Sequence, residues 1–204
     1  MKMRLMTGFL VLVLVIVGAV FYFLVNLGDL VKMAVEKGGS EATQVTVTLA
    51  KAEVKPAEGR ATLSGLVVGN PPGFTSDYAF ELGSISVQID AVTITKDVVI
   101  INEIVVQDPK VIYELGAEGS NIDAIKKNVA RRAGGGASGG GEGPKIIIEH
   151  LYIRGGTVAI SATALGGKTM STPLPDIHLT DIGKDKGGAD ASEIAATVMA
   201  ALTG

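Results

Sequence analysis

The chain opens on an unbroken apolar run and then changes texture. Between Arg4 and Asp29 no residue is charged, and Phe9 to Val25 is built almost wholly from Leu, Val, Ile, Ala and Phe. A helix needs roughly 20 apolar residues to cross the hydrocarbon layer, so this stretch is long enough. Inside lipid, helix is the only conformation in which one segment satisfies its own backbone. Lys2 and Arg4 precede the run and Asp29 follows it, which predicts a cytoplasmic N-terminus. Lys32 and Lys37 on the far side act against this orientation, although Asp29 and Glu36 accompany them. The alternative is a cleaved signal peptide, whose apolar core is only about 7–15 residues and ends in a small-x-small site. This core is longer, and Val25-Asn26-Leu27 is a poor cleavage site, so a retained anchor over 1–28 is expected. Gly8 and Gly18 do not form a GxxxG pairing motif.

Beyond the anchor, 29–37 predicts a short helix ended by Gly38-Gly39. Period-two alternation then takes over, as in half-buried strands, at Val45-Thr-Val-Thr-Leu49. A second strand is expected over 61–68, closed by the turn signal Asn70-Pro-Pro-Gly73. Ile85, Val87 and Ile89 alternate again, with Val92 and Ile94 in the opposite phase, so a turn or bulge belongs near Asp90. Residues 98–106 and 111–115 flank Asp108-Pro109 and read as two tightly joined strands. Residues 120–132 predict a helix with Ser120 as N-cap, an Ile122, Ile125, Val129 stripe and a basic end. Residues 133–143 are nearly pure Gly, Ala and Ser, the composition of a flexible linker.

Past the linker, Ile147-Ile-x-x-Leu151-x-Ile153 followed by Val158-x-Ile160 echoes Ile100-Ile-x-x-Ile104-x-Val106 followed by Val111-x-Tyr113, 47 residues earlier. One hairpin unit used twice is the reading, with chance likeness of two apolar hairpins as the alternative. Residues 174–182 predict another strand, and 189–202 a closing helix with Ile194, Val198 and Leu202 on one side. The fold class expected is mostly β (α+β): a curved antiparallel sheet with one or two short helices, after one transmembrane helix. The divisions are 1–28 anchor, 29–132 β-rich unit, 133–143 linker, and 144–204 second unit completing the same sheet.

Composition narrows the chemistry. Apolar residues are 47%, weighted towards Val, Ile, Leu and Ala, and Cβ branching favours strands. A net charge of −3 argues against nucleic acid, which needs a basic stripe to displace counterions. Without Cys there are no disulfides, thiolate nucleophiles or cysteine metal sites. His150 and His178 both fall in strand candidates with no carboxylates at metal spacing, and read as structural or surface histidines. Glu149 and His150 are adjacent and so point to opposite faces. Ser64, Ser86 and Ser161 lack a nucleophile elbow, and 134–143 lacks the Gly-Lys-Ser/Thr of a phosphate loop. Lys126, Lys127, Arg131 and Arg132 form a basic helix end, read as a solvated face, with anionic headgroups as the other reading. No catalytic, cofactor or metal site is expected.

The order of these features resembles the AsmA-like family of bacterial envelope proteins. The anchor, the short helix, Val45 to Leu49, Gly65-Leu-Val-Val-Gly-Asn-Pro-Pro-Gly-Phe74, Phe80 to Asp90, Ile101 to Glu114 and Gly119-Ser-Asn-Ile122 carry the resemblance. It implies an inner-membrane protein whose periplasmic sheet curls into an apolar trough, in a family associated with phospholipid transport and outer-membrane homeostasis. A domain of about 170 residues has a radius of gyration near 15 Å, so a chain this short is not expected to bridge two membranes alone. A second likeness is to the late-embryogenesis-abundant, WHy-type β-sandwich, which also places an Asn-Pro turn after an early strand. The expected groove or core residues are Val87, Ile89, Ile104, Val106, Val111, Leu151, Ile153 and Val158. The partners expected are the membrane, phospholipid, and a protein partner or second copy.

Overall fold

The computed structural model describes residues 26–117, 119–134, 144–162, 169–190, 193–194 and 197–198. The apolar run expected to cross the bilayer lies outside the described residues, as does 135–143 of the expected linker. Among the described residues no helix is long and apolar enough to cross a membrane.

Two helices flank an open, curved, mixed sheet. Helix α1 is Leu27–Thr43 and helix α2 is Asn121–Gly134. The strands are β1 Val47–Lys55, β2 Arg60–Val68, β3 Phe80–Ile89, β4 Val98–Gly116, β5 Gly119–Ser120, β6 Lys145–Arg154, β7 Thr157–Ala162, β8 Thr169–Pro173 and β9 Ile177–Ile182. Their order is β1-β2-β3-β4-β6-β9, with β7 continuing β6 alongside β4, and β8 pairing β7. All pairings are antiparallel except those of β4 with β6 and β7. Strands β6, β7 and β9 pair into the same sheet as β1–β4.

Three sequence expectations change. Gly38-Gly39 does not end α1, which continues to Thr43 and stops at Gln44 in the left-handed region (φ 57°). Bare Gly39 lets Val47 close in, since a Cβ there would sit 3.0 Å from its Cγ1. Asp108-Pro109 does not separate two strands: β4 passes through it for 19 residues, with Asp108 at φ 51°. The echoed segments are likewise not two hairpins. They are parallel neighbours, each position paired with the one 47 residues on, Val98 with Lys145 and Lys110 with Thr157.

Two rows of irregular residues cross the sheet and hold its curvature. Ala50, Gly65, Gly83, Asp108 and Gly155 fall opposite one another, each in a gap of the ladder between regularly paired neighbours. Gly65, Asp108 and Gly155 have φ of 64°, 51° and 66°. At Gly65 a Cβ would meet that of Ala50 at 2.7 Å, and at Gly155 it would collide with the Asp108 carboxylate, so both positions require glycine. The second row is Asn102, Glu149 and Asp181, with Asp181 at φ 55° and Asn102 donating to Glu149 at 3.4 Å. In an unbroken pleat, residues three apart point to opposite faces. Yet Ile101 and Ile104, Ile148 and Leu151, and Leu179 and Ile182 pack into one cluster across this row. Each row thus turns two consecutive residues outward, as exposed Ala50-Lys51, Arg154-Gly155 and Thr180-Asp181 show. The apolar pattern then resumes on the same side, in the way bulges re-aim side chains.

Candidate functional site

The inner face of this sheet carries a broad apolar surface. Reading from the helices outward, its phase runs through Leu49, Leu66 and Leu82, then past the first row to Leu63, Ile85, Val87, Ile104, Leu151 and Leu179. All eight residues expected for a groove or core fall on this face. Val87, Ile104, Leu151 and Leu179 stand side by side across four strands, and Val106 and Ile153 share the next level with Ile85 and Ile177. Ile89 closes the array beside Ile101, where the β3–β4 register shifts. Val111 and Val158 pair with each other beyond the first row, opposite Phe80. Leu151 and Ile153 are buried, and the other six are half-buried.

Two ends of this face differ. At the helical end Val45, Val47, Leu49 and Leu82 are buried. Helix α1 lies along the free edge of β1 and satisfies its backbone there. Glu36 accepts from the Leu49 N–H and Ser40 Oγ from the Val47 N–H, both at 2.9 Å, and Lys32 Nζ donates to the Ala50 carbonyl at 3.3 Å. That edge is thereby closed to further strand pairing. Helix α2 joins α1 through Asn128, which donates to the Thr43 carbonyl at 2.7 Å, and through the Arg132–Glu41 ion pair. Ser120 caps α2 as expected, accepting from the Asp123 N–H at 3.1 Å and donating to its carboxylate at 2.7 Å.

A buried polar corner finishes this end. Asn121 continues the ladder of β4 where β3 stops: its side chain accepts from the Glu114 N–H at 2.9 Å and donates to the Ile112 carbonyl at 2.8 Å. It also donates to Asn70, which in turn donates to Ser76, so the Asn-Pro-Pro-Gly loop is tied to β4. The Glu114 carboxylate, 1% exposed, accepts from the backbone N–H groups of Thr75 and Ser76 and from the Thr75 hydroxyl, at 2.7–3.0 Å. Burial alone raises its pKa, but the bonds from Ser76 and Thr75 outweigh this and hold it at about 2. A charge with this many donors is a structural cap. The turn residues were visible in the sequence, but no local signal marked that Glu114, 38 positions after Ser76, would close on them.

Towards the other end the cover thins. Ile194 and Val198 pack on the Ile148, Leu151, Ile182 cluster, on the β6–β9 side, while Leu202 lies outside the described residues. On the β1–β3 side Val54, Leu63, Ile85, Val87 and Ile89 remain half-buried, none reaching full burial.

The outer face of the same strands is mixed, with Ile100, Val105 and Ile147 among polar side chains. His150, Tyr152 and Arg154 alternate along β6, and His178 of β9 stands opposite Tyr152. The His178 and Tyr152 rings stack at 4.1 Å, and Arg154 lies 4.5 Å above the Tyr152 ring. His150 Nδ1 and His178 Nε2 are 3.2 Å apart, a hydrogen bond that requires at least one neutral ring. Glu149 is not part of this group; it meets Asn102 in the second row. Among the described residues no three His, Asp or Glu side chains converge as metal ligands.

No protein-family model and no characterised protein matches the chain.

Proposed function

We propose that this chain is a short AsmA-like protein: anchored by its N-terminal run in the bacterial inner membrane, it holds a periplasmic sheet whose inner face handles phospholipid acyl chains. Its role in this reading is non-catalytic and serves envelope homeostasis. The observation that carries it is the continuity of the apolar inner face. Two rows of irregular residues would each have thrown the pattern to the other side, and both are compensated so that one face stays apolar. A closed hydrophobic core needs no such continuity out to strands it leaves half-covered. An acyl chain does, because each methylene taken from water contributes about 0.8 kcal/mol along its whole length. Mass spectrometry of the detergent-purified full chain tests this. Co-purifying phospholipid is expected, and Val87→Glu or Ile104→Glu should remove most of it while circular dichroism stays unchanged. A monodisperse, lipid-free wild type would overturn the reading.

A second reading, a protein-interaction module, is favoured by one feature. Strand β8 is exposed at every position, and Met170, 74% exposed, stands across from exposed Ile160. Such an edge can accept a partner strand. A stoichiometric cross-linked partner without bound lipid would favour it.

A further inference from the structure

The turn between β3 and β4 presents apolar side chains to solvent on a backbone pinned by side-chain hydrogen bonds. Thr93 is buried, donates to the Asp90 carbonyl at 2.7 Å and accepts from the Ile100 N–H at 2.9 Å. Asp90 caps the turn by accepting from the Val92 N–H, and the Lys96 N–H donates to the Thr93 carbonyl. On either side of this pinned residue, Val92 is 69% exposed and Ile94 is 53% exposed.

The position of the turn says what it meets. Helix α1 runs antiparallel to β1 and almost along it. Gly28 lies against the Ala52 carbonyl and Ser40 against Val47. Twelve helical residues, about 18 Å, thus match five strand residues, about 16 Å. Asn26 enters α1 at the level of Ala52, which the register aligns with Leu63 and Ile85. Ile89 lies four residues further along β3, about 13 Å beyond that level, and Val92 and Ile94 follow it. Asn26, which the uncharged run precedes in the sequence, lies towards this same end. The polar headgroup layer on each side of a bilayer is only about 5–8 Å deep. On the anchored reading, a tip reaching further than the point where the apolar run joins the domain comes within reach of the membrane surface.

From this we infer that the β3–β4 turn is a membrane-docking tip: Val92 and Ile94 insert into the interfacial layer of the bilayer that holds the N-terminal run. The inference rests on the anchored reading above. Cations and anions are mixed at this end, with Lys96 beside Asp97, Lys184 paired with Asp181 and Lys186 with Glu193. Attachment is therefore apolar rather than electrostatic, and does not require anionic lipid. Docked in this way, the half-covered inner face opens onto the bilayer surface and the capped polar corner points away from it.

The chain has no cysteine, so single labels are straightforward. The full chain is reconstituted in phosphatidylcholine vesicles, with and without phosphatidylglycerol, carrying an environment-sensitive fluorophore at Val92→Cys, Ile94→Cys, Asp77→Cys or Val13→Cys. Shallow brominated lipids should quench positions 92 and 94 at least twofold in both vesicle types and leave exposed position 77 unaffected. Labels at 92 and 94 no more quenched than 77, with position 13 quenched, would overturn the docking tip and leave the anchor standing. Position 13 unquenched would overturn the anchor and the tip together. Equal quenching at 77 and 92 would mean the domain lies flat, which also overturns it.

Discussion

One apolar face runs the length of this sheet, and its two ends are finished in opposite ways. At the helical end Leu49 is 1% exposed, the β1 edge is stitched to α1, and Glu114 and Asn121 seal the last turn of β4 with a fully partnered polar network. At the other end, residues of the same type and phase are buried on the β6–β9 side, at Ile148, Leu151 and Ile182, but stop at half-burial on the β1–β3 side, and the turn beyond β3 holds Val92 and Ile94 outward. The difference lies in what covers the face, since the strands themselves are alike. Burial is complete where helices and hydrogen bonds close the sheet, while the far part of β1–β3 stays half-covered.

That contrast can be broken experimentally, most directly at its strongest point. Leu49→Ala in the full chain in detergent should cost about 2–5 kcal/mol by urea unfolding, because the site is fully packed and cannot collapse freely. A loss below about 1 kcal/mol would show that this end is no better packed than the other.

Acid tests the polar corner. The folded-state pKa of Glu114, about 2, lies below its ordinary 4.5, so its contribution is fully present above pH 4.5. It is lost as pH falls through 4.5 towards 2, since the unfolded chain takes up the proton first. The shift corresponds to about 3 kcal/mol at most. Glu114→Gln should lose stability at pH 7 and flatten the acid limb of stability against pH. An unchanged acid limb would mean that the corner contributes nothing through its charge.

The smallest effect is expected at the open end. Val87→Ala should cost only about 1 kcal/mol in detergent, because a half-buried valine has less apolar surface to lose. A cost equal to that of Leu49→Ala would mean that the two ends are equally closed and would remove the basis of the comparison.

Much of this was legible in the chain itself. Alternation at 45–49, 85–89 and 147–153 marked strands, Ser120 marked the start of α2, and the echo between 100–113 and 147–160 marked related segments. The eight residues singled out for a groove or core all fall on the inner face, because a branched apolar residue in an alternating strand has to be covered by something. Asp108-Pro109 misled: Asp-Pro is an ordinary turn signal, yet here Asp108 adopts φ 51° within a continuous strand. Nothing local distinguishes those outcomes, since neighbours supply the difference. Gly83 and Gly155 give the Asp108 side chain room on both sides.

Local conformations, the spacing of the repeat and the apolar period are set by the amino-acid order alone, because they depend on residues a few positions apart. That order could not decide that the repeat copies lie side by side in parallel, that glycines and Asp108 from different strands align into one row, or that Glu114 closes on Thr75 and Ser76. Those depend on register between strands, where a slip of one residue would reverse every side chain. Only packing the whole sheet against its two helices selects a single register, and with it which parts of the apolar face are covered and which stay half-covered.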